Sequence, residues 1–283
     1  TGIEDKMMDV IPIEFVTEFD GQALRDDMAS VSREIVQVAD QGGLVLVRNF
    51  LDAASVAAIR EGSTHLSQQH PANEGSIELH QGCPDIHNWE QPKFRMRDRV
   101  RATLSAGLNS ETRLKRKLRE RDFHSHKFFL WNRHSELFDK AALDVVHLRN
   151  ALYGNDPEFG IDLEQGFFTV VTVQHYHKGG GFLSEHSEAN FHERQGLFCR
   201  FEIITLLSKK GVDYKEGGLF ARVKGKLYAV DNLANPGDLV IYDVKRPHGC
   251  APVDPRQQTD LTASDGRWMM LVPPYSVADH LRH

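Results

Sequence analysis

The sequence has few cysteines and no long apolar run. Its three cysteines, Cys83, Cys199 and Cys250, are odd in number and far apart, which excludes a disulfide framework and a thiolate zinc site and favours a reducing compartment. No segment approaches the roughly 20 consecutive apolar residues that cross a bilayer. Residues 1–9 lack the cationic flank and apolar stretch of an export signal. We therefore expect a cytoplasmic protein without a membrane partner.

The sequence also lacks an excess of positive charge, internal repeats and low-complexity segments. Its net charge of −6 gives no general attraction to nucleic acid. Arginine and lysine are concentrated in residues 94–121; a solvated helix face explains this stretch better than a docking surface does. With 283 residues and 40% apolar content, the chain can bury one substantial core. We predict a single domain over 1–283, helix-rich over 1–166 and β-rich over 167–274.

Hydrophobic periodicity predicts how the chain is arranged. Apolar residues recur at spacings of four and three over 21–40, which predicts a helix with one apolar face, capped by Asp20. The pattern then predicts five further elements: a buried strand over 44–47, a short helix near 53–60, a covering loop over 67–91, a strand over 128–131 and a helix over 140–153. Short strands are then predicted at 167–177, 200–207, 219–223, 226–230, 238–242 and 268–272. This pattern predicts a mainly β fold with flanking helices, built as a sandwich or barrel.

One histidine and one glutamate form a candidate metal-binding pair. His186 and Glu188 are two residues apart, so on a strand both side chains point to the same face. His248 follows the predicted strand at 238–242 and can approach the pair from a neighbouring strand. Two imidazoles and one carboxylate on one face of an ion leave the opposite positions open, as non-haem iron(II) oxygenases require. We predict that His186, Glu188 and His248 are the metal ligands.

Other histidines compete for this role. His134 and Glu136 repeat the same spacing, but they open a predicted helix, where residues two apart do not face the same way. We interpret them as capping or surface residues. His175 and His177 form a same-face pair within a strand, and for them a structural role as hydrogen-bonded histidines is at least as well supported as metal binding.

Six segments, taken in order, resemble the landmarks of the iron(II)/2-oxoglutarate-dependent oxygenase superfamily, especially its prolyl-hydroxylase-like branch. They are residues 174–181 (QHYHKGGG), 186–188 (HSE), 216–220 (EGGLF), 236–240 (PGDLV), 248–253 (HGCAPV) and 266–268 (GRW). Their ordered agreement is more specific than any single motif. The resemblance covers roughly 167–274, with a weaker similarity over 43–52.

The resemblance implies a double-stranded β-helix, the cupin-like jelly-roll, whose two sheets enclose the metal. It implies that Fe(II), 2-oxoglutarate and O₂ are used, that Arg267 binds the distal carboxylate of 2-oxoglutarate, and that Tyr176 also contacts this co-substrate. Glu188 stands where chloride-transferring relatives have a small residue, which argues against halogenation. The implied reaction oxidises a C–H bond by hydroxylation, desaturation or cyclisation, with release of succinate and CO₂.

A small-molecule substrate, such as a modified amino acid or a natural-product intermediate, suits a pocket built from variable insertions. The expected walls are the loop at 67–91, the aromatic strand carrying His124, His126, Phe128 and Trp131, and residues 190–194. Protein hydroxylation and nucleic-acid demethylation are less favoured. Two alternatives remain open: a cupin-type zinc or manganese isomerase or hydrolase that uses His175 or His177 as an added ligand, and a non-enzymatic jelly-roll binding module.

Overall fold

A computed structural model describes residues 9–74, 79–80, 82–90, 121–163, 166–188 and 200–276. These residues form fifteen strands, four α-helices and one short 3-10 helix. The helices are α1 (Gly21–Asp26), α2 (Met28–Asp40), α3 (Ala53–Gln69) and α4 (Glu136–Tyr153), with the 3-10 helix at Ile13–Phe15. The strands are β1 (Asp9–Val10), β2 (Val16–Asp20), β3 (Leu44–Arg48), β4 (Asn73–Glu74), β5 (Ile86–Glu90), β6 (Arg121–Phe129), β7 (Phe167–Tyr176), β8 (Phe182–His186), β9 (Phe201–Leu206), β10 (Gly218–Val223), β11 (Lys226–Ala229), β12 (Leu239–Asp243), β13 (His248–Ala251), β14 (Arg267–Leu271) and β15 (Pro274–Ser276).

Strands β7 to β14 form two facing antiparallel sheets. Sheet I contains β7, β14, β9 and β12 in that order, and sheet II contains β8, β13, β10 and β11. Because the chain passes repeatedly from one sheet to the other, this pairing is a double-stranded β-helix. The predicted fold class, mainly β with flanking helices around a jelly-roll core, is confirmed.

The N-terminal part of the chain enlarges both sheets. On sheet I, β3 pairs with β12, and β2 lies parallel to β3 at the edge. At the other end of sheet I, β6 pairs with β7 and β5 pairs with β6. The first residues of β6 also pair with β8, which joins the two sheets at one corner. The region 1–166, expected to be helix-rich, therefore also contributes several strands.

Side chains alternate between the two faces of sheet I, as the period of a strand requires. On β7, Val171 and Val173 face outward and belong to an apolar cluster shared with the helices. Tyr176, on the opposite face, belongs to a second cluster enclosed between the sheets together with Met269 and Cys250. The chain thus has one core outside sheet I, under the helices, and another inside the barrel.

The helices cover the outer face of sheet I. Helix α4 packs against both α2 and α3. Their ends carry side-chain caps: Asp52 accepts a hydrogen bond from the Ser55 amide at the start of α3, and Ser135 accepts one from the Phe138 amide at the start of α4. Gly154, in the left-handed conformation, ends α4. In this described part of the chain, no helix combines the length and apolar content that crossing a bilayer needs.

Several predicted boundaries are wrong. The strand expected over 128–131 spans Arg121–Phe129, and the helix expected over 140–153 begins at Glu136. The helix expected over 21–40 is two helices, because Asp27 leaves the helical conformation and its side chain caps α2 by accepting from the Ser30 amide. The short helix near 53–60 continues to residue 69, and a strand forms at 86–90 within the expected loop over 67–91. Asp20 caps α1 as predicted. The basic stretch, apart from Arg121 at the start of β6, and residues 190–194 lie outside the described residues.

Candidate metal centre

The three predicted ligands come from two neighbouring strands of sheet II. His186 is the last residue of β8, Glu188 follows two residues later, and His248 is the first residue of β13. Since β8 and β13 pair antiparallel, His186 and His248 lie directly opposite each other. Their ring centroids are 4.4 Å apart, and His186 Nε2 is 3.0 Å from Glu188 Oε1. The structure therefore brings all three side chains to one place.

Backbone hydrogen bonds fix the orientation of both imidazoles. The Nδ1 atom of His186 lies 2.8 Å from the Ser184 carbonyl oxygen, and Nδ1 of His248 lies 3.0 Å from the Arg246 carbonyl oxygen. A carbonyl can only accept, so each Nδ1 must carry the proton. This tautomer leaves the lone pair of each neutral ring on Nε2, which is the arrangement that metal-binding histidines use.

Two further features position the three side chains. The Glu188 amide donates to the Val244 carbonyl oxygen at 3.0 Å, which holds the segment after β8 against the strand that leads to His248. A Cβ at Gly249 would lie 2.6 Å from the Leu183 carbonyl oxygen, so only glycine allows β13 to approach β8 this closely.

Within the described ranges, no three His, Cys, Asp or Glu side chains are spaced as a ready-formed metal site.

Arg267 faces this group from sheet I. It is the first residue of β14, is 1% exposed, and lies opposite Tyr176 on β7. Its Nε and Nη2 atoms donate to the two carboxylate oxygens of Asp231 at 2.6 and 3.2 Å. Its Nη1 atom is buried and has no hydrogen-bond partner among the described residues. A buried guanidinium nitrogen without an acceptor is costly, so this atom indicates the place of an anionic ligand.

The sequence did not predict a role for Asp231. Its carboxylate also accepts from the Tyr214 hydroxyl at 2.5 Å and from the Leu219 amide at 2.7 Å. Burial alone would raise the pKa of the Asp231 carboxyl, but the charge and hydrogen bonds of Arg267 outweigh burial and lower this pKa. Asp231 therefore stays ionised and fixes one edge of the guanidinium.

A cavity of about 90 Å³ joins these groups between the two sheets. Tyr176 is fully buried in its wall; its hydroxyl donates to Gln174 Oε1 at 2.7 Å, and its ring centroid is 5.4 Å from the Arg267 guanidinium carbon. The lining residues include all five predicted site residues: His186, Glu188, His248, Arg267 and Tyr176, together with Phe123, Gln174, Leu183, Glu202, Ile204, Leu219, Gly249, Cys250, Met269 and Leu271.

A second cavity, of about 220 Å³, adjoins the first. The two share a boundary that includes Arg121, Phe123, Gln174, Glu188 and Glu202. The outer cavity adds residues from β5, β6, β7, β9, helix α4 and the segment after β14. They include Glu90, Ser125, Lys127, Arg149, Tyr153, Thr172, Phe201, Ile203, Pro273, Pro274 and Tyr275. Glu188 lies at the boundary between the two cavities.

The expected walls on β6 are wrong in part. His124, His126 and Phe128 face the helices, and the alternate residues Phe123, Ser125 and Lys127 face the cavity instead. Trp131 packs with Phe129 in a small cluster outside the barrel. A strand's pattern does not say which of its two faces is buried inside a barrel, and a shift of one residue exchanges them.

The competing histidines lie away from the cavity. His134 bonds to Asp85 and Asp139, and Ser135 caps α4, so the predicted capping role of this segment is confirmed. His175 Nε2 donates to the Asp265 carbonyl oxygen at 2.8 Å, and His177 Nε2 is 3.2 Å from Asp122 Oδ1.

Both His175 and His177 lie on the outer face of sheet I, where they adjoin His124. The structure therefore does not bring either histidine to the cavity that His186, Glu188 and His248 line, as the cupin-type alternative would require.

No protein-family model and no curated protein matches the chain. Among solved structures, it is similar to a prolyl-4-hydroxylase from Pseudomonas putida, with 15% identity, a TM-score of 0.47 and coverage of 87% of this chain and 97% of that one. It is also similar to a prolyl hydroxylase from Trichoplax adhaerens, solved in complex with a hypoxia inducible factor oxygen degradation domain peptide fragment. Here the identity is 14%, the TM-score is 0.47, and the match covers 93% of this chain and 96% of that one. For an oxidoreductase of the 2OG-Fe(II) oxygenase family from Burkholderia pseudomallei, the identity is 12%, the TM-score is 0.43, and the match covers 88% of this chain and 90% of that one.

Proposed function

We propose that this chain is an iron(II)- and 2-oxoglutarate-dependent oxygenase that oxidises a C–H bond of a small molecule. His186, Glu188 and His248 hold the iron, and Arg267 and Tyr176 bind 2-oxoglutarate. The observation that carries this proposal is the buried Nη1 atom of Arg267, which lacks an acceptor within the described residues and lines the same cavity as the three ligands.

The ligand set fits iron(II). Two neutral imidazoles and one carboxylate are the donors of the non-haem iron(II) oxygenases, and they leave open positions for a chelating co-substrate and oxygen. Both imidazoles keep the lone pair on Nε2 because Nδ1 donates to the backbone. Binding a cation would also relieve the close approach of His186 Nε2 and Glu188 Oε1, which are now 3.0 Å apart.

The opposite wall fits the distal carboxylate of 2-oxoglutarate. A guanidinium can grip carboxylates on more than one edge. Asp231 occupies the edge formed by Nε and Nη2, so Nη1 remains to donate to a carboxylate in the cavity. The side chain of Tyr176, the cross-strand neighbour of Arg267, limits where the co-substrate can lie.

The protein's contribution to the reaction is placement. When bound, iron(II) with 2-oxoglutarate and O₂ supplies the oxidant for the C–H bond, and 2-oxoglutarate leaves as succinate and CO₂. Sheet II holds the ligands, and Arg267 fixes the far end of the co-substrate. Apolar side chains, among them Leu219, Ile204 and Met269, line the closed end of the cavity and exclude water. The outer cavity then receives the substrate next to Glu188.

The test is anaerobic loading with Fe(II) and 2-oxoglutarate, followed by visible absorption. We expect the charge-transfer band of the chelate in the wild type, its loss in Glu188→Ala, and weaker 2-oxoglutarate binding in Arg267→Ala. Glu185→Ala is the matched control, because Glu185 lies on β8 and pairs with Arg222 at the surface. Tight iron binding without a band in the wild type would show that the co-substrate assignment is wrong.

Measurement of turnover separates the remaining alternatives. Consumption of O₂ and release of succinate with a candidate substrate are expected. Turnover without oxygen would favour a metal-dependent isomerase or hydrolase, and ligand binding without any metal affinity would favour a non-enzymatic module.

A further inference from the structure

The inner face of sheet I carries cationic side chains at two separate levels. Lys127 on β6 lies opposite Thr172 on β7, and Arg267 on β14 lies opposite Tyr176 on the same strand. Thr172 and Tyr176 are four residues apart, which is about 13 Å along a strand. Arg267 lines the inner cavity and Lys127 lines the outer one, with Glu188 at the boundary of both. Glu188, one of the proposed ligands, therefore lines both the cavity that contains Arg267 and the cavity that contains Lys127.

The charge of Lys127 is not matched within the barrel. Arg121, on the same face of β6, is paired with Glu90 at 3.0 Å, so the acid whose charge acts on Lys127 is already neutralised. In the part of the chain that the structure describes, Lys127 makes no hydrogen bond or ion pair. Burial lowers the pKa of its amine, and the charge of Glu90 only partly opposes this effect. A half-buried ammonium without a partner needs an anion close by.

We propose that Lys127 binds a carboxylate of the substrate, so that the substrate is an anionic small molecule held at the end of the cavity opposite to Arg267. This inference rests on the proposed function, since it takes the outer cavity to be the substrate chamber. Two other cations line this cavity, but their donors are engaged: Arg121 is paired with Glu90, and Arg149 donates to neutral oxygens of Asn150, Thr169, Val272 and Phe159. A carboxylate therefore fits better than a phosphate, because a dianion would require donors from a second cation. The substrate carboxylate and the co-substrate carboxylate are then kept apart by the length of the cavity.

The experiment uses the reactivity of Lys127 itself as the probe. The protein is acetylated with methyl acetyl phosphate, which is anionic, and separately with N-acetoxysuccinimide, which is neutral. Peptide mass spectrometry gives the labelling of Lys127 relative to exposed Lys226. The neutral reagent corrects for the lowered basicity of Lys127. An anion-binding site should raise the Lys127 to Lys226 ratio by about tenfold with the anionic reagent, through attraction between charges about 4 Å apart. Equal ratios would overturn the proposal.

Two variants test the geometry. Thr172→Asp places a carboxylate directly opposite Lys127 and should abolish the preference for the anionic reagent, and Thr172→Asn, of the same shape without the charge, should retain it. Acetate should protect Lys127 from the anionic reagent. Stronger protection by inorganic phosphate at equal concentration would show that the anion class is wrong.

The holoenzyme separates this inference from the proposed function. After anaerobic loading with Fe(II) and 2-oxoglutarate, the preference at Lys127 should persist, because the co-substrate carboxylate is bound at Arg267. Loss of the preference on loading would assign Lys127 to the co-substrate and overturn the inference. The labelling itself needs neither iron nor turnover. A preserved preference in a protein without the charge-transfer band would therefore remove the proposed function and leave the anion site.

Discussion

Two groups of histidines lie on opposite sides of the barrel wall, and their ring nitrogens differ in what they bind. The inner pair, His186 and His248, uses Nδ1 to donate to the backbone and keeps the lone pair on Nε2. The outer cluster lies between sheet I and α3 and consists of His87, His124, His126, His175 and His177. In His87, His126 and His177, both nitrogens have partners.

The comparison shows that the number and spacing of histidines do not identify a metal site. The outer rings stack at short distances, with His87 and His126 at 4.7 Å and His175 and Trp268 at 4.0 Å between centroids. They act as polar core residues that join β5, β6 and β7 to α3. A candidate ligand is instead recognised by one committed nitrogen and a second that can point at a cavity.

The largest expected effect comes from comparing one alanine variant from each histidine group. His248→Ala should lower iron(II) affinity by more than about 100-fold, the upper end of what losing a supporting partner alone costs, with little change in thermal stability. His175→Ala should leave iron affinity unchanged and lower the melting temperature. Anaerobic iron titration and thermal unfolding measure both quantities. Similar iron affinities for the two variants would contradict the distinction between the groups.

A smaller effect is expected at the second wall of the cavity. Asp231→Asn removes the charge that balances Arg267, which is 1% exposed. Breaking one partner of a buried ion pair costs about 3–5 kcal/mol, so denaturant unfolding should show a loss of about 3 kcal/mol. If binding a carboxylate restores the balance, saturating 2-oxoglutarate should recover part of this loss in Asp231→Asn and less in a double variant that also carries Arg267→Met. No stabilisation by 2-oxoglutarate would argue against the assigned role of Arg267.

The outer cluster should make stability depend on pH. Burial lowers the pKa of His175 to about 3 and that of His124 to about 4. The unfolded chain binds these protons near pH 6.5 and the folded chain does not, so stability falls as the pH drops below about 6.5. For His175 alone, the loss between pH 7 and pH 5 is about 2 kcal/mol.

The measurement is the difference in unfolding free energy between pH 7 and pH 5, in the wild type and in His175→Gln. The variant should lose about 2 kcal/mol less than the wild type over this interval. His177 shifts the other way, because the hydrogen bond to Asp122 outweighs burial and raises its pKa, so it should stabilise the fold at low pH. An unchanged pH dependence in His175→Gln would contradict the lowered pKa, because it would mean that this ring binds its proton equally well in the folded and unfolded protein.

Much of the fold could be predicted because local pattern decides it. Short β-branched runs separated by glycine and proline indicated the four strands of sheet I and two strands of sheet II, β10 and β11. The runs did not indicate β8 and β13, which carry His186 and His248, and β8 ends at His186, so Glu188 follows the strand instead of lying on it. The direction of each face could not be predicted, since it depends on strand register. The inward position of Lys127, in place of the expected His126, is one result of this.

Asp231 could not be predicted because its role depends on a partner 36 residues away in the sequence. The only local signal was the glycine pair at 217 and 218. A Cβ at Gly218 would lie 2.3 Å from Asp231 Oδ2, so this glycine allows the carboxylate to approach β10 closely. The metal-ligand and co-substrate roles of the cavity residues stay predictions until they are measured.

The smallest expected effect is at Tyr176. Its hydroxyl donates to Gln174 and its ring lies beside Arg267, so Tyr176→Phe removes one hydrogen bond and keeps the packing. If the hydroxyl turns from Gln174 to donate to bound 2-oxoglutarate, this variant should raise the KM for 2-oxoglutarate about fivefold, equivalent to about 1 kcal/mol for one hydrogen bond, with iron affinity unchanged. Gln174→Glu should weaken 2-oxoglutarate binding further, because a carboxylate beside the tyrosine repels the co-substrate. If Tyr176→Phe leaves this KM unchanged, then the tyrosine only fills the barrel and Arg267 alone orients the co-substrate.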